Sequence, residues 1–523
     1  MKNKIYLLPI ALLCLVIGVV AGSMIPNLSN NTSVVFSDKL GYIINLISNQ
    51  YVDKVDTDSL TDNAISLLLG ELDPHSVYLT KQEVEKENES LRGNFDGIGV
   101  QFRIVRDSIV VVKTIKGGPS EKVGIMAGDR IVKVDGKNLT KNVTNDTVLR
   151  YLKGASGSKV KLSIQRRDNK GLIDFLVTRG KIETKAVAYY GMLDKQTGYI
   201  KLTEFSATSY EEVHNALQDL NNQGMQKLVF DLRGNGGGLL DQAINIADEF
   251  IKRGELIVYT QGLHRGRKDF YATSGGAFLN GDLMVLVDEL SASASEIVSG
   301  CIQDNDRGTI LGRRTFGKGL VQEQKVLPDN SAVRLTVARY YTPSGRCIQR
   351  PYIKGAGEKY YEDFLLRYAN MENNTDTISH DPKYKYKTKL GRTVYGGGGI
   401  EPDVTLSLSY KNYSNYYKDL LRQGVIFQYC FEYVDKNRKK LLNEWTDGEK
   451  FVKQFVVTDK ELNDMLTFAS DNGVKKQKLS TKEASEIKQL MKAYITQNFW
   501  KEDKYFYRIY LSLDNELQEA LKK

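Results

Sequence analysis

Cysteine and histidine are scarce in this sequence, and their positions exclude two classes of site. The 523 residues contain four cysteines and four histidines. Beyond Cys14 the cysteines are Cys301, Cys347 and Cys430, an odd and widely spaced set that supports neither a disulfide framework nor a zinc cluster. The histidines are scattered and show no H-x-x-x-H or C-x-x-C spacing. We therefore expect no metal site and no cofactor.

The chain also lacks a strong excess of one charge, internal repeats and low-complexity tracts. Its 73 basic and 64 acidic residues leave a formal net charge of +9, which is spread along the sequence. Such a small excess argues against a nucleic acid as the partner. With 41% hydrophobic residues the chain can bury a core, and its length indicates two to four domains.

The N-terminus carries one long apolar run. Lys2 and Lys4 precede residues 5–22, which contain no charged side chain. This pattern is typical of an export signal, and we predict a signal peptide or membrane anchor over residues 1–26. Small or branched residues at 20–22 suit a signal peptidase, but the run is nearly long enough to stay in a bilayer. Cleavage is left open, and either alternative predicts an extracytoplasmic protein, periplasmic or at the cell envelope.

Apolar periodicity and composition divide the rest of the chain into four parts. We predict an N-terminal helical segment (33–92), a compact strand-rich domain (93–180), an α/β core (181–405) and a mostly helical C-terminal extension (406–523). The N-terminal segment contains two short amphipathic helices that are broken at Val52-Asp53. A Tyr/Lys-rich insert at 352–389 is predicted to be a surface excursion.

A serine-rich segment, residues 291–296, lies where an apolar strand leads into an amphipathic helix. A serine at such a junction is exposed beside unpaired helix N–H groups. Those amides can stabilise the oxyanion that forms when a serine hydroxyl attacks a carbonyl carbon. Ser293 and Glu296 also fit a capping box that merely begins a helix, so this segment alone leaves both interpretations open.

A lysine between two glycines is the second candidate. Gly317 and Gly319 let the backbone turn sharply and carry Lys318 inward, just after a strand. A lysine buried against apolar groups loses its proton more readily, and the neutral amine can then accept a serine proton. The alternative is a surface lysine in a glycine turn, the commoner case for a lone lysine.

The third candidate is the glycine-rich turn at residues 231–238, between a strand and a helix. Its backbone N–H groups suit an anion. A phosphate loop is excluded because Leu239-Leu240 replaces the Lys-Ser/Thr ending, and consecutive glycines do not match G-x-G-x-x-G. A Ser/His/Asp triad through His75 lacks a G-x-S-x-G elbow, so a buried structural histidine is preferred.

Six motifs in one order resemble the carboxyl-terminal processing proteases, also called tail-specific proteases, from about Phe36 to Val404. They are the Leu-Asp-Pro-His-Ser run at 72–76, the strand-rich domain, residues 231–235, 291–296 and 315–319, and Gly-Ile-Glu-Pro-Asp at 399–403. Chance agreement of so many motifs is remote. The resemblance implies a Clp protease/crotonase-like α/β core with an inserted PDZ domain.

The resemblance also implies a role for each candidate residue. The nucleophile corresponds to Ser293, the general base to Lys318, and the residue that orients this lysine to Gln322. The oxyanion donors correspond to the backbone amides of Ala294 and of a glycine in the turn at 236–238, which we predict to be Gly237.

Residues 93–180 resemble a PDZ domain. The carboxylate-binding loop of that domain corresponds to Gly97, Ile98, Gly99 and Val100. The run at 118–131 is the most recognisable part, with Ser120 in place of the usual alanine. Such domains bind a peptide C-terminus as an added strand, which implies protein or peptide substrates with free C-termini.

The resemblance thus implies an exported serine endopeptidase that recognises substrate C-termini and cleaves through an acyl-enzyme. The alternative is an exported PDZ-containing binding protein with an inactive protease-like core, which the intact Ser293, Lys318 and Gln322 argue against. No motif covers the C-terminal extension, which could dock a partner, cover the active site or stabilise the fold. The oligomeric state is left open, a homo-oligomer included.

Overall fold

Two compact units make up the part of the chain that the structure describes. This computed structural model describes residues 32–105, 107–167, 169–273, 275–371, 380–406 and 413–523. The predicted signal or anchor at 1–26 lies outside these residues. The division between the units falls between Leu69 and Gly70. Within the described ranges, no helix has both the length and the apolar character needed to cross a bilayer.

The first unit contains the two helices predicted near the N-terminus. They are α1 (Thr32–Gln50) and α2 (Thr57–Gly70), and the break between them includes Val52-Asp53 as expected. The second unit begins with the strand β1 (Val77–Leu79) and the charged helix α3 (Lys81–Arg92). Thr80 and Glu83 form a capping box that fixes the start of α3.

The strand-rich block folds as a six-stranded sheet, a separate two-stranded sheet and two small helices. Its elements are β2 (Asn94–Gly97), β3 (Val100–Val105), β4 (Ser108–Thr114), α4 (Pro119–Lys122), β5 (Arg130–Val134), β6 (Lys137–Asn138), α5 (Asn145–Leu152), β7 (Lys159–Gln165), β8 (Leu172–Thr178) and β9 (Gly180–Glu183). The strand order is β3-β4-β5-β7-β8, while β6 pairs with β5 and β2 pairs with β9. Strand β3 therefore lies at an edge of the sheet.

The α/β core is built on a six-stranded sheet in the order β10-β11-β12-β15-β16-β21, parallel from β11 onward. Its strands are β10 (Val187–Met192), β11 (Thr197–Leu202), β12 (Lys227–Asp231), β15 (Asp282–Val287), β16 (Thr309–Gly312) and β21 (Val404–Thr405). The helices between them are α6 (Ser209–Asn222), α7 (Leu240–Asp248) and α8 (Ala294–Asp304). This alternation confirms the predicted α/β class.

A smaller antiparallel sheet lies beside the core. It runs β1-β18-β13-β14, with β17 paired to β18. The strands not yet given are β13 (Leu256–Gln261), β14 (Lys268–Tyr271), β17 (Leu320–Val326) and β18 (Ala332–Tyr341). Because β1 pairs with β18, the Leu-Asp-Pro-His-Ser run before β1 is brought to the strands that follow Lys318.

Both faces of the six-stranded sheet are buried. On β12, Leu228 and Phe230 pack on the face covered by α6, α7 and α8, whereas Val229 points to the opposite face. There it meets Leu511 and Leu517 from the end of the chain. Parallel sheets bury both faces in this way, so their strands read as continuous apolar runs.

The insert at 352–389 is not simply a surface excursion, and that prediction is wrong for its helix. The insert contains α9 (Gly357–Met371), a 3₁₀ turn (Pro382–Tyr384) and strand β19 (Lys385–Lys387), which pairs with β20 (Thr393–Tyr395). Tyr360 and Phe364 of α9 are only 4% and 8% exposed. They are buried because their rings pack against Phe316, next to the lysine loop.

The C-terminal extension is helical, as predicted. It contains α10 (Asn415–Arg422), α11 (Val425–Glu444), α12 (Gly448–Gln454), α13 (Asp459–Asp471), α14 (Thr481–Phe499), α15 (Asp503–Tyr510), a 3₁₀ turn (Leu511–Leu513) and α16 (Asn515–Ala520). Most of these helices share their own apolar core. They also contact the strand-rich domain, where Lys113 pairs with Asp503 (2.9 Å) and Arg103 lies over the Phe427 ring.

Replacing Leu286 by alanine should destabilise the second unit. Leu286 is fully buried on the sheet face that meets the end of the chain, so the substitution leaves a cavity. We expect the free energy of unfolding to fall by about 2–5 kcal/mol in urea titrations. Leu263→Ala is the control, because Leu263 is 93% exposed, and it should change stability by less than about 0.5 kcal/mol. Equal effects of the two variants would contradict this assignment of the core.

Candidate active site

Three parallel strands end at one edge of the central sheet, and each leads into a predicted motif. Strand β12 leads into the glycine-rich turn, β15 into the serine-rich segment and β16 into the lysine loop. Carboxyl ends of adjacent parallel strands lie side by side, and in open α/β sheets this edge is where ligands bind. The fold therefore brings together motifs that are far apart in sequence.

Ser293 occupies a strained and accessible position immediately before α8. Its backbone angles are φ 56° and ψ −112°, outside the regions that a serine normally adopts. From Ser291 to Asp304, Ser293 alone is not fully buried. Strain of this kind persists only where the surrounding structure imposes it, and it is concentrated at functional sites.

Gly237 packs directly against the serine segment. Its φ is 106°, and a Cβ built on it would lie 2.8 Å from both Ser293 Cβ and the Ala292 carbonyl oxygen. The same Cβ would be 3.1 Å from the Ala294 nitrogen. Only glycine fits here, and the glycine-rich turn thus lies beside the N–H groups at the start of α8.

Asn235 shapes this turn, a role that no local sequence pattern indicates. Its Oδ1 accepts the Gly237 N–H (2.9 Å), and its Nδ2 donates to the Leu202 carbonyl (3.1 Å). Its own carbonyl accepts the Ala292 N–H (3.0 Å) and the Ser295 hydroxyl (2.8 Å). Asn235 therefore joins the glycine-rich turn to the serine-rich segment. Its Oδ1 is also the acceptor of the Gly237 N–H in this structure.

Glu296 links the serine and lysine segments through one buried carboxylate. Oε2 accepts the N–H groups of Ser293 (2.9 Å) and Lys318 (2.8 Å), and Oε1 accepts the Gly317 N–H (2.7 Å) and the Thr315 hydroxyl. The carboxylate half of the predicted capping box is therefore present, and the same carboxylate also binds the lysine loop. Burial raises the pKa of Glu296 to about 7, and these four hydrogen bonds oppose the rise.

Tyr340 on β18 makes a second link between the same two segments. Its buried hydroxyl donates toward the carbonyl oxygens of Ser293 (3.1 Å) and Lys318. Burial holds the pKa of this phenol well above its usual value, so it remains a donor. The sequence contained no signal for this role, because a tyrosine in a strand is common.

Lys318 is half-buried, and its surroundings favour the neutral amine. Burial lowers the pKa of its ammonium group, and the nearby positive charge of Arg334 lowers it further. The negative charges of Glu296, Glu87 and Asp73 oppose these effects without cancelling them. A lysine in such an environment can accept a proton closer to neutral pH than a solvent-exposed lysine can.

Gln322 is held by the Leu-Asp-Pro-His-Ser run. Its Nε2 donates to the His75 carbonyl, and the Asp73 carboxylate fixes that turn by accepting the His75 N–H (2.9 Å) and the Ser76 hydroxyl (2.6 Å). His75 itself is buried, and burial together with the charge of Lys318 lowers the pKa of its imidazole to about 4. Among the described residues, no cluster of His, Cys, Asp and Glu could hold a metal ion.

The predicted carboxylate-binding loop lies at the start of edge strand β3. Gly99 has φ 71°, and a Cβ there would lie 3.0 Å from Ile182 Cδ1 and 3.3 Å from Pro119 Cδ. The carbonyl groups of Ile98 and Gly99 accept the Ser120 and Ile115 N–H groups (both 2.9 Å). The loop is thus closed on one side by its own domain, next to a strand edge that a peptide could extend.

Comparison with protein families assigns four segments of the chain. Residues 196–355 match peptidase family S41, and residues 97–177 match the PDZ domain. Residues 26–83 match the N-terminal domain of the activating protease CtpB, and residues 416–501 match a family of unknown function.

Curated relatives cover most of the same region. The chain is 37% identical over 340 residues to the carboxy-terminal-processing protease of Bartonella bacilliformis, which covers 63% of this chain and 76% of the relative. It is 36% identical over 318 residues to the carboxy-terminal processing protease CtpA of Bacillus subtilis, which covers 61% and 67%. Among solved structures, the photosystem II D1 C-terminal processing protease matches with a TM-score of 0.37 and 26% identity, covering 71% of this chain and 93% of that one.

Replacing Glu296 by glutamine should separate the serine and lysine segments. The neutral amide has one acceptor oxygen instead of two, so at least one buried N–H group would lose its acceptor. We expect the free energy of unfolding to fall by about 1–3 kcal/mol for each such donor. Thermal or urea unfolding measures this change. Glu323→Gln is the matched control, since Glu323 is an exposed neighbour of Gln322 that pairs with Arg265 (2.8 Å). A Glu296→Gln protein as stable as this control would contradict the linking role.

Proposed function

The chain belongs to the carboxy-terminal-processing proteases of peptidase family S41, and we propose that it is an exported serine endopeptidase with a Ser293/Lys318 dyad. The observation that carries this proposal is the Glu296 carboxylate, which binds the main chain of Ser293 and of Lys318 at once. A merely structural serine would need no such link to a lysine with a lowered pKa.

The reaction uses Lys318 first as a base and then as an acid. The neutral amine accepts the Ser293 hydroxyl proton while Oγ attacks the carbonyl carbon of the substrate. The resulting ammonium donates that proton to the leaving amine as the peptide bond breaks, which leaves an acyl-enzyme on Ser293. Lys318 then takes a proton from the water that attacks the acyl carbon. The ammonium returns this proton to Ser293 Oγ as the acyl–oxygen bond breaks, which releases the second product. Gln322, whose Nε2 donates to the His75 carbonyl, orients the lysine through its side-chain oxygen.

The oxyanion binds to the N–H groups of Ala294 and Gly237. Ala294 is the first residue of α8, so its N–H has no acceptor within the helix and is favoured by the helix dipole. The Gly237 N–H, which donates to Asn235 Oδ1 in this structure, joins it when the oxyanion replaces that acceptor. An anion is the stronger acceptor of the two, which favours this exchange.

The PDZ domain selects substrates by their free C-terminal carboxylate. Gly97, Ile98 and Gly99 direct N–H groups at the carboxylate, and the peptide pairs with the open edge of β3 from Val100 onward. The edge position of β3 supports this role, since strand addition needs an unpaired edge. Val100 and Phe102 lie partly buried at that edge and favour an apolar terminal residue.

We assign domain limits and location from the sequence pattern. Residues 1–26 serve as the export signal or membrane anchor, 33–92 as the N-terminal helical segment, 93–180 as the PDZ domain, 181–405 as the protease core and 406–523 as the helical extension. The lysines before an uncharged apolar run support export, so the protein acts outside the cytoplasm, with the membrane as a partner if the signal stays uncleaved.

Substitutions at the dyad test the mechanism. Ser293→Ala should reduce cleavage of an unfolded protein by at least about 10³-fold while the fold remains intact. Lys318→Arg should be equally inactive, because arginine does not deprotonate at accessible pH. The kcat/KM of the wild type should rise with pH, with a midpoint below the ordinary lysine value, because burial lowers the pKa of Lys318.

Lys325→Arg serves as the control for these variants, since Lys325 is an exposed lysine on β17, the strand that follows Lys318. It should retain full activity. Substantial cleavage by a folded Ser293→Ala protein would refute the nucleophile, and a fully active Lys318→Arg protein would refute the base.

Substrates with different ends test selection by the PDZ domain. One unfolded protein carrying a free apolar terminus should be cleaved about tenfold more efficiently than its C-terminally amidated form, because hydrogen bonds to a charged group are worth more than those to a neutral one. Gly99→Ala should remove this preference, since its Cβ would press on Ile182 and Pro119. Gly124→Ala is the matched control: it also has a positive φ, but a Cβ there has open space. Equal rates for both substrate ends with the wild type would reject C-terminal selection.

A further inference from the structure

The end of the chain covers the second face of the protease sheet. Leu511, Leu517 and Ala520 are buried against Val229, Leu286 and Leu311, which come from three adjacent parallel strands. These are β12, β15 and β16, the strands that lead into the glycine-rich turn, the serine segment and the lysine loop. The 3₁₀ turn and the helix α16 at the end of the described chain therefore pack against the three strands that lead into the proposed active site.

Two carboxylates at the start of α16 bind an arginine of the glycine-rich turn. Arg233 Nη2 lies 2.6 Å from Asp514 Oδ2, and Arg233 Nη1 lies 2.9 Å from Glu516 Oε2. The same guanidinium binds Asp231 at the end of β12, with Nη2 2.7 Å from Oδ2. The side chains of Arg233, Asp514 and Glu516 are only 14%, 15% and 13% exposed, so water screens these ion pairs weakly.

Glu516 also reaches the strand that leads to the lysine. Its Oε1 binds Arg313, which directly follows β16 and whose Nε donates to Glu289 Oε2 (2.7 Å). Glu289 lies in the loop between β15 and Ser293. The Glu516 carboxylate thus connects the glycine-rich turn, the lysine loop and, through Arg313, the segment before Ser293.

We propose that Asp514 and Glu516 are positioning residues for catalysis, acting through Arg233 and Arg313. This inference rests on the proposed function and extends it by giving the end of the chain a part in the reaction. Arg233 lies four residues before Gly237 in the glycine-rich turn, and Arg313 lies five residues before Lys318. A shift at either arginine is therefore transmitted to the N–H donor or to the base through a short length of backbone.

A purely stabilising role predicts a different outcome. If α16 only covered apolar surface, the burial of Leu517 and Ala520 would be sufficient and the carboxylates could be neutralised without affecting the chemistry. A positioning role predicts a lower kcat in folded protein with an unchanged KM, because substrate binding at the PDZ domain does not involve these residues.

The test compares full-length Glu516→Gln, Asp514→Asn and the double variant with wild type. We expect kcat to fall about tenfold for each single variant and further for the double variant, with KM and the affinity for a C-terminal peptide unchanged. Glu516→Asp keeps the charge and should recover part of the lost kcat. Glu519→Gln removes one charge from the same helix, away from both arginines, and should behave as wild type.

Circular dichroism and thermal unfolding show whether the compared proteins are folded. If the double variant unfolds, the two single variants decide the result. A wild-type kcat in folded Glu516→Gln and Asp514→Asn proteins overturns the proposal, even if their melting temperatures fall. Ser293→Ala is measured in parallel: if it cleaves as fast as wild type, the proposed function fails, whereas an inactive Ser293→Ala with fully active tail variants refutes only the positioning role.

Discussion

The buried Glu296 carboxylate accepts hydrogen bonds from Ser293, Lys318, Gly317 and Thr315, and the rest of the active site depends on this arrangement. A carboxylate taken out of water is costly unless its lone pairs are satisfied, and four donors satisfy them. The same hydrogen bonds fix the position of the serine-rich segment relative to the lysine loop. Burial raises the pKa of this group to about 7, and the four donors around it oppose that rise.

The central sheet brings these segments to one place. Strands β12, β15 and β16 are adjacent and parallel, so the loops that follow them lie at one edge although helices intervene in sequence. Gly237 and Asn235 then join the glycine-rich turn to the serine segment at van der Waals and hydrogen-bond distance. Tyr340 and the Leu-Asp-Pro-His-Ser run add contacts from the smaller antiparallel sheet. The site is thus built from both sheets of the core.

The C-terminal extension has a structural connection to each functional part of the second unit. Its helices contact the PDZ domain through the Lys113–Asp503 pair and through Arg103 and Phe427. Its last helix contacts the protease core through Arg233 and Arg313. The helix α9 of the insert also contacts the lysine loop, where Tyr360 and Phe364 pack on Phe316.

The sequence by itself determined the fold class and the candidate residues, because both depend on local signals. Alternating strands and helices, glycines in tight turns and the order of short motifs can be read over a few residues. They predicted the α/β core, the strand-rich domain, the helical ends, and Ser293 and Lys318 as the residues to consider. For the serine, the local pattern alone left both a capping box and a nucleophile open.

Only the tertiary structure decided how the candidates are held together. Glu296 and Lys318 are 22 residues apart, Gln322 and His75 are 247 apart, and Arg233 and Glu516 are 283 apart. Periodicity and spacing carry no information about such pairs, because strand order and packing determine which side chains meet. The same reason explains why the sequence pattern predicts a surface excursion for the insert at 352–389: Tyr360 and Phe364 are buried against Phe316, which lies more than 40 residues earlier in the sequence.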